Sequence, residues 1–118
     1  ATSGVISRAA CNAANELKAA AIVSSTKSGA TARRISQCRP ECPIVAVTPS
    51  EKVAKSLAFC FGVYPVVAED QNSTDAMMAN ATKIAVENGF ANSGDTVVIA
   101  AGLDQVGSTN LLKVSVVE

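Results

Sequence analysis

The stretch Ile22–Ser36, "IVSSTKSGATARRIS", decides the fold because it joins two kinds of secondary structure across a short polar loop. The apolar run Ala20–Val23 leads into it and is typical of a buried strand, whereas the basic segment at its end has the character of a helix. Hydroxyl side chains and Gly29 lie between the two. A buried strand that passes through a short loop into a helix is the repeating unit of an α/β protein.

Short apolar runs recur along the rest of the chain, and they predict a sheet of five strands. Pro65 lies in the third run and cannot donate a backbone hydrogen bond, so we expect that strand at an edge. No helix separates the last two runs, and a connection that short cannot join parallel neighbours. The last strand is therefore expected to be antiparallel. The predicted strands are Ala20–Ser25, Pro43–Val47, Val63–Ala68, Thr96–Ala101 and Leu111–Val117.

The segments between these runs have helical spacing, capping residues or both. Ser28 is the expected N-cap of the second helix, and "TPSE" predicts that Thr48 caps the third, with Pro49 at its first position and Glu51 closing a capping box. Strands that alternate with helices predict an α/β fold, a three-layer α/β/α sandwich with a five-stranded mixed sheet, formed by residues 1–118 as one domain. The predicted helices are Val5–Lys18, Gly29–Cys38, the segment from Thr48 to Gly62, and a long helix from Asn72 or Ser73 to about Glu87.

The composition excludes several classes of function. The 118 residues suffice for one compact domain with its own core. Only 3% of them are aromatic and none is Trp, which argues against a stacking platform for single-stranded nucleic acid. The formal net charge is zero, so no overall field favours nucleic acid or an anionic membrane. No apolar run approaches the roughly 18 to 20 residues of a membrane span.

The four cysteines do not form a recognisable metal motif. A zinc site would need further Cys or His at suitable spacing, and the chain contains no His. We expect Cys11 and Cys60 to be small buried hydrophobes and regard disulfides as unsupported, which fits a reduced, cytoplasmic location. The sequence does not begin with Met, so we expect a processed chain or a piece of a larger one.

The loop between the first strand and the second helix has the chemistry of an anion site. The first amide groups of a helix lack intrahelical partners, and the helix dipole favours negative charge there. Gly29 allows a close approach of the backbone, the neighbouring hydroxyls can donate, and Lys27 adds a positive charge. The segment from Leu17 to Pro40 contains five basic residues and no acidic one. The alternative is that the hydroxyls only cap the helix and that Arg33 and Arg34 form a solvated face.

The residues give little support to catalysis. Without His, the usual general base is missing. The carboxylates lie in turns, loops or caps, where local structure explains them, and we assign no catalytic residue. The loop lacks the Gly-Lys-Ser/Thr of a phosphate-binding P-loop, and no G-x-G-x-x-G follows the first strand.

Several motifs in order resemble one known family. They are T-x-S-G-x-T at Thr26–Thr31, I-S-x-x-R-P at Ile35–Pro40, P-I-x-A-V-T at Pro43–Thr48, and G-V-x-P-V at Gly62–Val66, followed by "GDTVVIAAG" and "GSTN". Together they resemble the C-terminal domain of pyruvate kinase over essentially the whole chain. That family implies an α/β domain with a mixed five-stranded sheet whose last strand is antiparallel.

The resemblance also implies a function. The whole enzyme of this glycolytic family converts phosphoenolpyruvate and ADP to pyruvate and ATP, with Mg and K held in a separate barrel domain. The C-terminal domain binds a phosphorylated allosteric effector and contributes subunit contacts in a homotetramer. We therefore expect no cofactor in this chain and no catalysis by it alone.

Two segments match the family's effector site. The first is the phosphate loop, defined here as residues 26–31, in which three hydroxyls and the backbone amides would grip a phosphate. The second, with Gly107, Ser108, Thr109 and Asn110, matches the end of the effector loop before the last strand. The residues of the phosphate loop are Thr26, Lys27, Ser28, Gly29, Ala30 and Thr31.

The sequence departs from the family at the second phosphate grip. Members activated by fructose 1,6-bisphosphate use a Trp and an Arg there, whereas this chain has no Trp and carries the acidic segment "AEDQNSTDA" at residues 68–76. Ala30 also replaces a residue that is often basic or polar. We therefore expect AMP or a sugar monophosphate rather than fructose 1,6-bisphosphate. The alternatives are an oligomerisation module with a vestigial effector site and a stand-alone protein that binds a phosphoryl ligand.

Overall fold

The strands lie close to their predicted positions. The computed structural model describes residues 2–71, 73–101 and 110–118. Each predicted strand is present and differs from its expected bounds by at most one residue at either end. A strand that is covered on both faces needs a run of apolar residues, and such runs in β1, β2 and β4 make these strands easy to recognise in the sequence. The strands are β1 (Ala21–Ser25), β2 (Ile44–Thr48), β3 (Val63–Val67), β4 (Thr96–Ala101) and β5 (Leu111–Val116).

Within the described residues these strands form one sheet with the order β3-β2-β1-β4-β5. The central strand β1 is parallel to both of its neighbours, with Ile22 opposite Ile44 of β2 and Val98 of β4. Strand β5 pairs antiparallel with β4. Strand β3, which contains Pro65, lies at one edge. The prediction of a mixed sheet with an antiparallel last strand is therefore confirmed, as is the edge position of β3.

The helices cover both faces of the sheet, as predicted for a three-layer sandwich. Helices α1 (Thr2–Leu17), α2 (Ala30–Gln37) and α3 (Glu51–Leu57) bury apolar side chains on one face, and α4 (Thr74–Glu87) buries its own on the other. The chain moves across the sheet in one direction from β1 to β2 to β3, and it then returns to β4 on the other side of β1. Because crossover connections are right-handed, this change of direction places α4 on the face opposite to α2 and α3.

Two helix starts differ from the prediction. Helix α3 begins at Glu51 with Ser50 as its N-cap, whose hydroxyl accepts a hydrogen bond from Val53 N at 3.2 Å. Thr48 is instead the last residue of β2, where its carbonyl accepts from Ala68 N at 3.0 Å, so the predicted Thr48 cap is wrong. Helix α1 starts earlier than expected and ends before Lys18, which is left-handed with φ 53°.

The helix end at Gly62 is also wrong, because α3 is short and has its C-cap at Ala58. The cap at the start of α4 is confirmed, since the Ser73 hydroxyl accepts from Ala76 N at 3.1 Å.

All four cysteines are free. Cys11 is buried as predicted, whereas Cys60 is only half-buried because it lies in the turn after α3. Among the described helices, none combines the length and the apolar character that a membrane crossing requires.

The packing of α2 on the sheet makes Ile35 a sensitive position. Its side chain is completely buried against β1 and β2. Truncation in Ile35→Ala should lower the free energy of unfolding by about 2–5 kcal/mol because it leaves a cavity. Urea denaturation measures the change. Val86→Ala is the matched control, since Val86 is also in a helix but is 41% exposed. Equal effects of the two substitutions would contradict the burial of Ile35 against β1 and β2.

Candidate functional site

The phosphate loop begins where β1 leaves the sheet. Thr26 N donates to Val47 O at 2.9 Å, which is the last link between this end of β1 and β2. The side chain of Thr26 is buried, and its hydroxyl oxygen accepts a hydrogen bond from Gly29 N at 2.8 Å. This bond closes a tight turn, so that the chain reverses within three residues and enters α2 at Ala30.

Gly29 is required by both its conformation and its surroundings. It is left-handed, with φ 91°, a region that favours glycine. A β-carbon at this position would lie 2.7 Å from a guanidinium nitrogen of Arg33 and 3.2 Å from the Val53 side chain. The N-cap position of α2 is Gly29, with no side-chain cap bond, so the prediction that Ser28 is the cap is wrong by one residue. Ser28 still serves the helix start, because its hydroxyl accepts from Ala30 N at 3.3 Å.

Arg33 contacts the loop from α2, a role that the sequence pattern alone does not indicate. Its guanidinium donates to Ser28 O at 3.1 Å and to the Ser56 hydroxyl of α3 at 2.8 Å. Arg33 therefore joins the loop to a neighbouring helix and brings a positive charge beside Gly29. The spacing of four residues from Gly29 is the signal that could have identified it, since residues so spaced share one face of a helix.

Lys27 has a carboxylate as its partner. Its ammonium nitrogen lies 3.1 Å from an oxygen of Asp70, and both side chains are more than half exposed. Asp70 follows β3 and belongs to the acidic segment at residues 68–76. The structure thus brings together two segments that are distant in sequence, and it places a negative charge directly at the cation of the phosphate loop.

The second predicted segment, Gly107, Ser108 and Thr109, lies outside the described residues. The residues on either side of the gap, Ala101 and Asn110, are joined by a hydrogen bond from Asn110 N to Ala101 O at 3.1 Å. Ala101 is the register partner of Ser25, the last residue of β1. Ala101 and Asn110 therefore lie at the carboxyl end of β4, next to the strand end from which the phosphate loop starts.

These strand ends form the topological switch point of the sheet. From β1 the chain proceeds outward on one side to β2 and β3, and β4 lies on the other side of β1. In open α/β sheets, ligands bind outside the carboxyl ends of the strands at such a point. The phosphate loop occupies this position, with Lys27 and Ser28 exposed and Thr31 buried.

Two of the amides expected to hold a phosphate are already hydrogen-bonded. Gly29 N donates to Thr26 and Ala30 N donates to Ser28, both within the loop itself. The loop is therefore preformed by its own hydroxyls, as the capping interpretation requires. An anion at this place would have to compete with the Ser28 hydroxyl for Ala30 N.

Over residues 2–71, 73–101 and 110–118, no group of three or more His, Cys, Asp or Glu side chains could hold a metal ion.

Comparison with known proteins identifies the family. Residues 5–115 match the family model of the pyruvate kinase alpha/beta domain. The pyruvate kinase of Clostridium acetobutylicum is 48% identical over 119 residues, which cover 99% of this chain and 25% of that protein. Those of Staphylococcus epidermidis and Staphylococcus aureus are 48% and 46% identical over 103 residues, 86% of this chain and 18% of each relative. The chain belongs to the pyruvate kinase family as its C-terminal α/β domain, and it spans a quarter or less of these relatives.

The buried hydroxyl of Thr26 should be essential to the loop. Thr26→Val keeps the shape of the side chain but leaves the Gly29 amide without its acceptor, so the free energy of unfolding should fall by about 1–3 kcal/mol. Amide hydrogen exchange at Gly29 should accelerate in the same variant. Thr26→Ser retains the oxygen and is the control. If exchange at Gly29 is equally fast in both variants, the bond does not hold the turn.

Proposed function

We propose that this chain is the regulatory domain, residues 1–118, of a cytoplasmic pyruvate kinase, and that its phosphate loop binds a phosphorylated effector. The whole enzyme would transfer phosphate from phosphoenolpyruvate to ADP in glycolysis, with Mg and K in the catalytic barrel. The observation that carries the proposal is the family's T-x-S-G-x-T motif at the switch point of the sheet, in front of α2. The chain alone is not expected to catalyse this reaction.

The charges and donors of the loop suit a phosphate monoester. Lys27 precedes Ser28 in the loop and Arg33 donates to Ser28 O, so both supply positive charge to it. The start of α2 adds the positive end of the helix dipole, which favours an anion. Hydrogen bonds to an ionised phosphate are about twice as strong as neutral ones, so a phosphate can compete for Ala30 N with the hydroxyl that now accepts from it.

The acidic segment favours a ligand with one phosphate. Asp70 lies 3.1 Å from the Lys27 ammonium, and Glu69 beside it is also exposed. A second phosphate directed toward β3 would meet these carboxylates, and like charges at short distance repel. AMP or a sugar monophosphate therefore fits this site better than fructose 1,6-bisphosphate.

Subunit contacts in a homotetramer are the second part of the proposal. Strand β5 is an edge strand whose residues Val114 and Val116 are 46% and 60% exposed. Among the described residues no strand pairs with its outer side, and a sheet edge with exposed apolar side chains is suited to contact with another chain. An effector that stabilises one arrangement of α2 could bias such contacts, because allostery requires a different affinity for each of two states.

Titration of the 15N-labelled chain with AMP, ribose 5-phosphate, glucose 6-phosphate and fructose 1,6-bisphosphate tests the proposed site by NMR. Saturable chemical-shift changes should centre on residues 27–31 and on α2, and the monophosphates should bind at least as tightly as the bisphosphate. Ser28→Asp should abolish them, because it places a negative charge where the phosphate would lie.

Ser93→Asp is the matched control, since Ser93 is exposed in the turn before β4, at the opposite end of the sheet. This variant should bind as the unmodified chain does. Tight binding of the bisphosphate alone would contradict the monophosphate preference. Absence of any shift at millimolar ligand, together with concentration-dependent association, would favour the oligomerisation module with a vestigial site.

The carboxylate of Asp70 should weaken the site. Asp70→Asn removes the negative charge beside Lys27 and should tighten binding of ribose 5-phosphate roughly two- to fourfold at low salt, the effect of one charge across several ångströms of solvent. Isothermal titration calorimetry measures it. Glu69→Gln removes the same charge from the neighbouring residue and should act more weakly. If both variants bind equally, the contact between Asp70 and Lys27 has no specific role.

A further inference from the structure

Three of the four cysteines lie where α1 meets the end of α2. Cys11 is in the middle of α1, Cys38 is the C-cap of α2, and Cys42 follows four residues later. The sulfur of Cys11 lies 3.6 Å from the carbonyl oxygen of Cys38, although the two residues are 27 positions apart in sequence. Nothing in the effector site accounts for this arrangement, because the phosphate loop lies at the other end of α2.

The backbone around Cys38 is held firmly against α1. Asn15, one turn after Cys11, accepts a hydrogen bond from Glu41 N at 3.0 Å and has its amide nitrogen 4.0 Å from the Cys11 sulfur. Arg39 is left-handed, with φ 49°, and its guanidinium lies 4.5 Å from the centre of the Phe61 ring. These contacts fix the turn after α2, so the approach of Cys38 to Cys11 does not depend on a flexible segment.

The two thiols differ in access. Cys11 is 3% exposed, whereas Cys38 is only half-buried. Burial, together with the neighbouring Cys38 thiol, raises the pKa of Cys11 above its ordinary value. The thiolate is the reactive form of cysteine, and the raised pKa of Cys11 disfavours it there. An external oxidant is therefore expected to react first with Cys38, and Cys11 lies where it can react with the oxidised Cys38 sulfur.

We propose that Cys11 and Cys38 form a reversible intramolecular disulfide within the native fold when the protein meets a peroxide. Cys38 attacks one oxygen of the peroxide to give a sulfenic acid and one molecule of water. The Cys11 sulfur then attacks the Cys38 sulfur, the S–S bond forms, and the hydroxyl leaves with the Cys11 proton as a second water. The two thiols are thereby oxidised by two electrons and hydrogen peroxide is reduced to water.

The bond would join α1 to the end of α2. Between the two cysteines lie β1, the phosphate loop and α2 itself, so the cross-link closes a chain segment that contains the whole phosphate loop. Helix α2 is only eight residues long, and a covalent tie at its C-terminal end restricts motion at its N-terminal end. The disulfide itself does not depend on whether the loop binds a ligand.

Treatment of the folded 118-residue chain with hydrogen peroxide, followed by alkylation and mass spectrometry, tests the proposal. Before alkylation, the intact mass should be lower by two hydrogen atoms, and dithiothreitol should restore it. After alkylation, the oxidised chain should carry two alkyl groups fewer than the reduced chain. Digestion with trypsin and an endoproteinase specific for Glu resolves the pairing, because Glu41 separates Cys38 from Cys42 while the Arg39–Pro40 bond resists trypsin. The cross-linked peptides should contain Cys11 and Cys38, and the melting temperature should rise by roughly 5–15 °C.

Both Cys38→Ser and Cys11→Ser should abolish the cross-link. Cys38→Ser changes a half-buried position and keeps the proposal testable if the buried Cys11 variant folds poorly. Cys42→Ser and Cys60→Ser are the controls and should retain the cross-link. A disulfide between Cys38 and Cys42, a peroxide product without loss of mass, or a lower melting temperature of the oxidised chain would overturn the proposal.

Discussion

Strand β1 is hydrogen-bonded on both sides, and this constraint fixes the point at which the chain must turn. Its residues Ala21–Ser24 are fully buried between β2 and β4. Buried backbone N–H and C=O groups need hydrogen-bond partners, and here the two neighbouring strands provide them. The ladder to β2 ends with the bond from Thr26 to Val47. The next three residues must then reverse the chain onto the face that α2 covers.

That reversal depends on one side-chain hydrogen bond and one glycine. The Thr26 hydroxyl replaces a backbone acceptor for the Gly29 amide, and Gly29 adopts a conformation that a β-carbon would strain. With the turn in place, Arg33 follows one helical turn later and contacts both the loop and α3. The features of the site are consequences of where β1 ends.

The sequence predicts the elements well because each reflects a local pattern. The runs Ala20–Val23 and Val97–Ala101, which form most of β1 and β4, are apolar without interruption, as a strand covered on both faces requires. The position of the phosphate loop follows directly, since the loop lies between a strand and a helix of recognisable pattern. The motif at Thr26–Thr31, and the resemblance that it supports together with the other motifs, can be recognised in the sequence without knowledge of any contact.

The errors arise where a distant segment decides the outcome. Thr48 and Ser50 can both cap a helix, and the choice depends on whether residue 48 extends β2 by pairing with Val67 of β3 and with Ala68, which follows it. The same reason explains why Arg33 and Asp70 were not assigned to the site. Their partners, Ser56 and Lys27, lie 23 positions and more than 40 positions away along the chain. Patterns in one segment contain no information about such pairs.

The cap and the ligand site are two uses of the same atoms, and the exposure of each hydroxyl decides which use prevails. Thr26 is buried and accepts from Gly29 N at 2.8 Å, so its role in the turn would persist with a ligand present. Ser28 is exposed and accepts from Ala30 N at the longer distance of 3.3 Å. A net hydrogen bond of this kind contributes about 1 kcal/mol, and a charge-assisted bond to phosphate more than that. The Ser28 hydroxyl can therefore rotate from accepting to donating while the phosphate takes over the amide, so competition between cap and ligand occurs at Ser28 and leaves the turn at Thr26 intact.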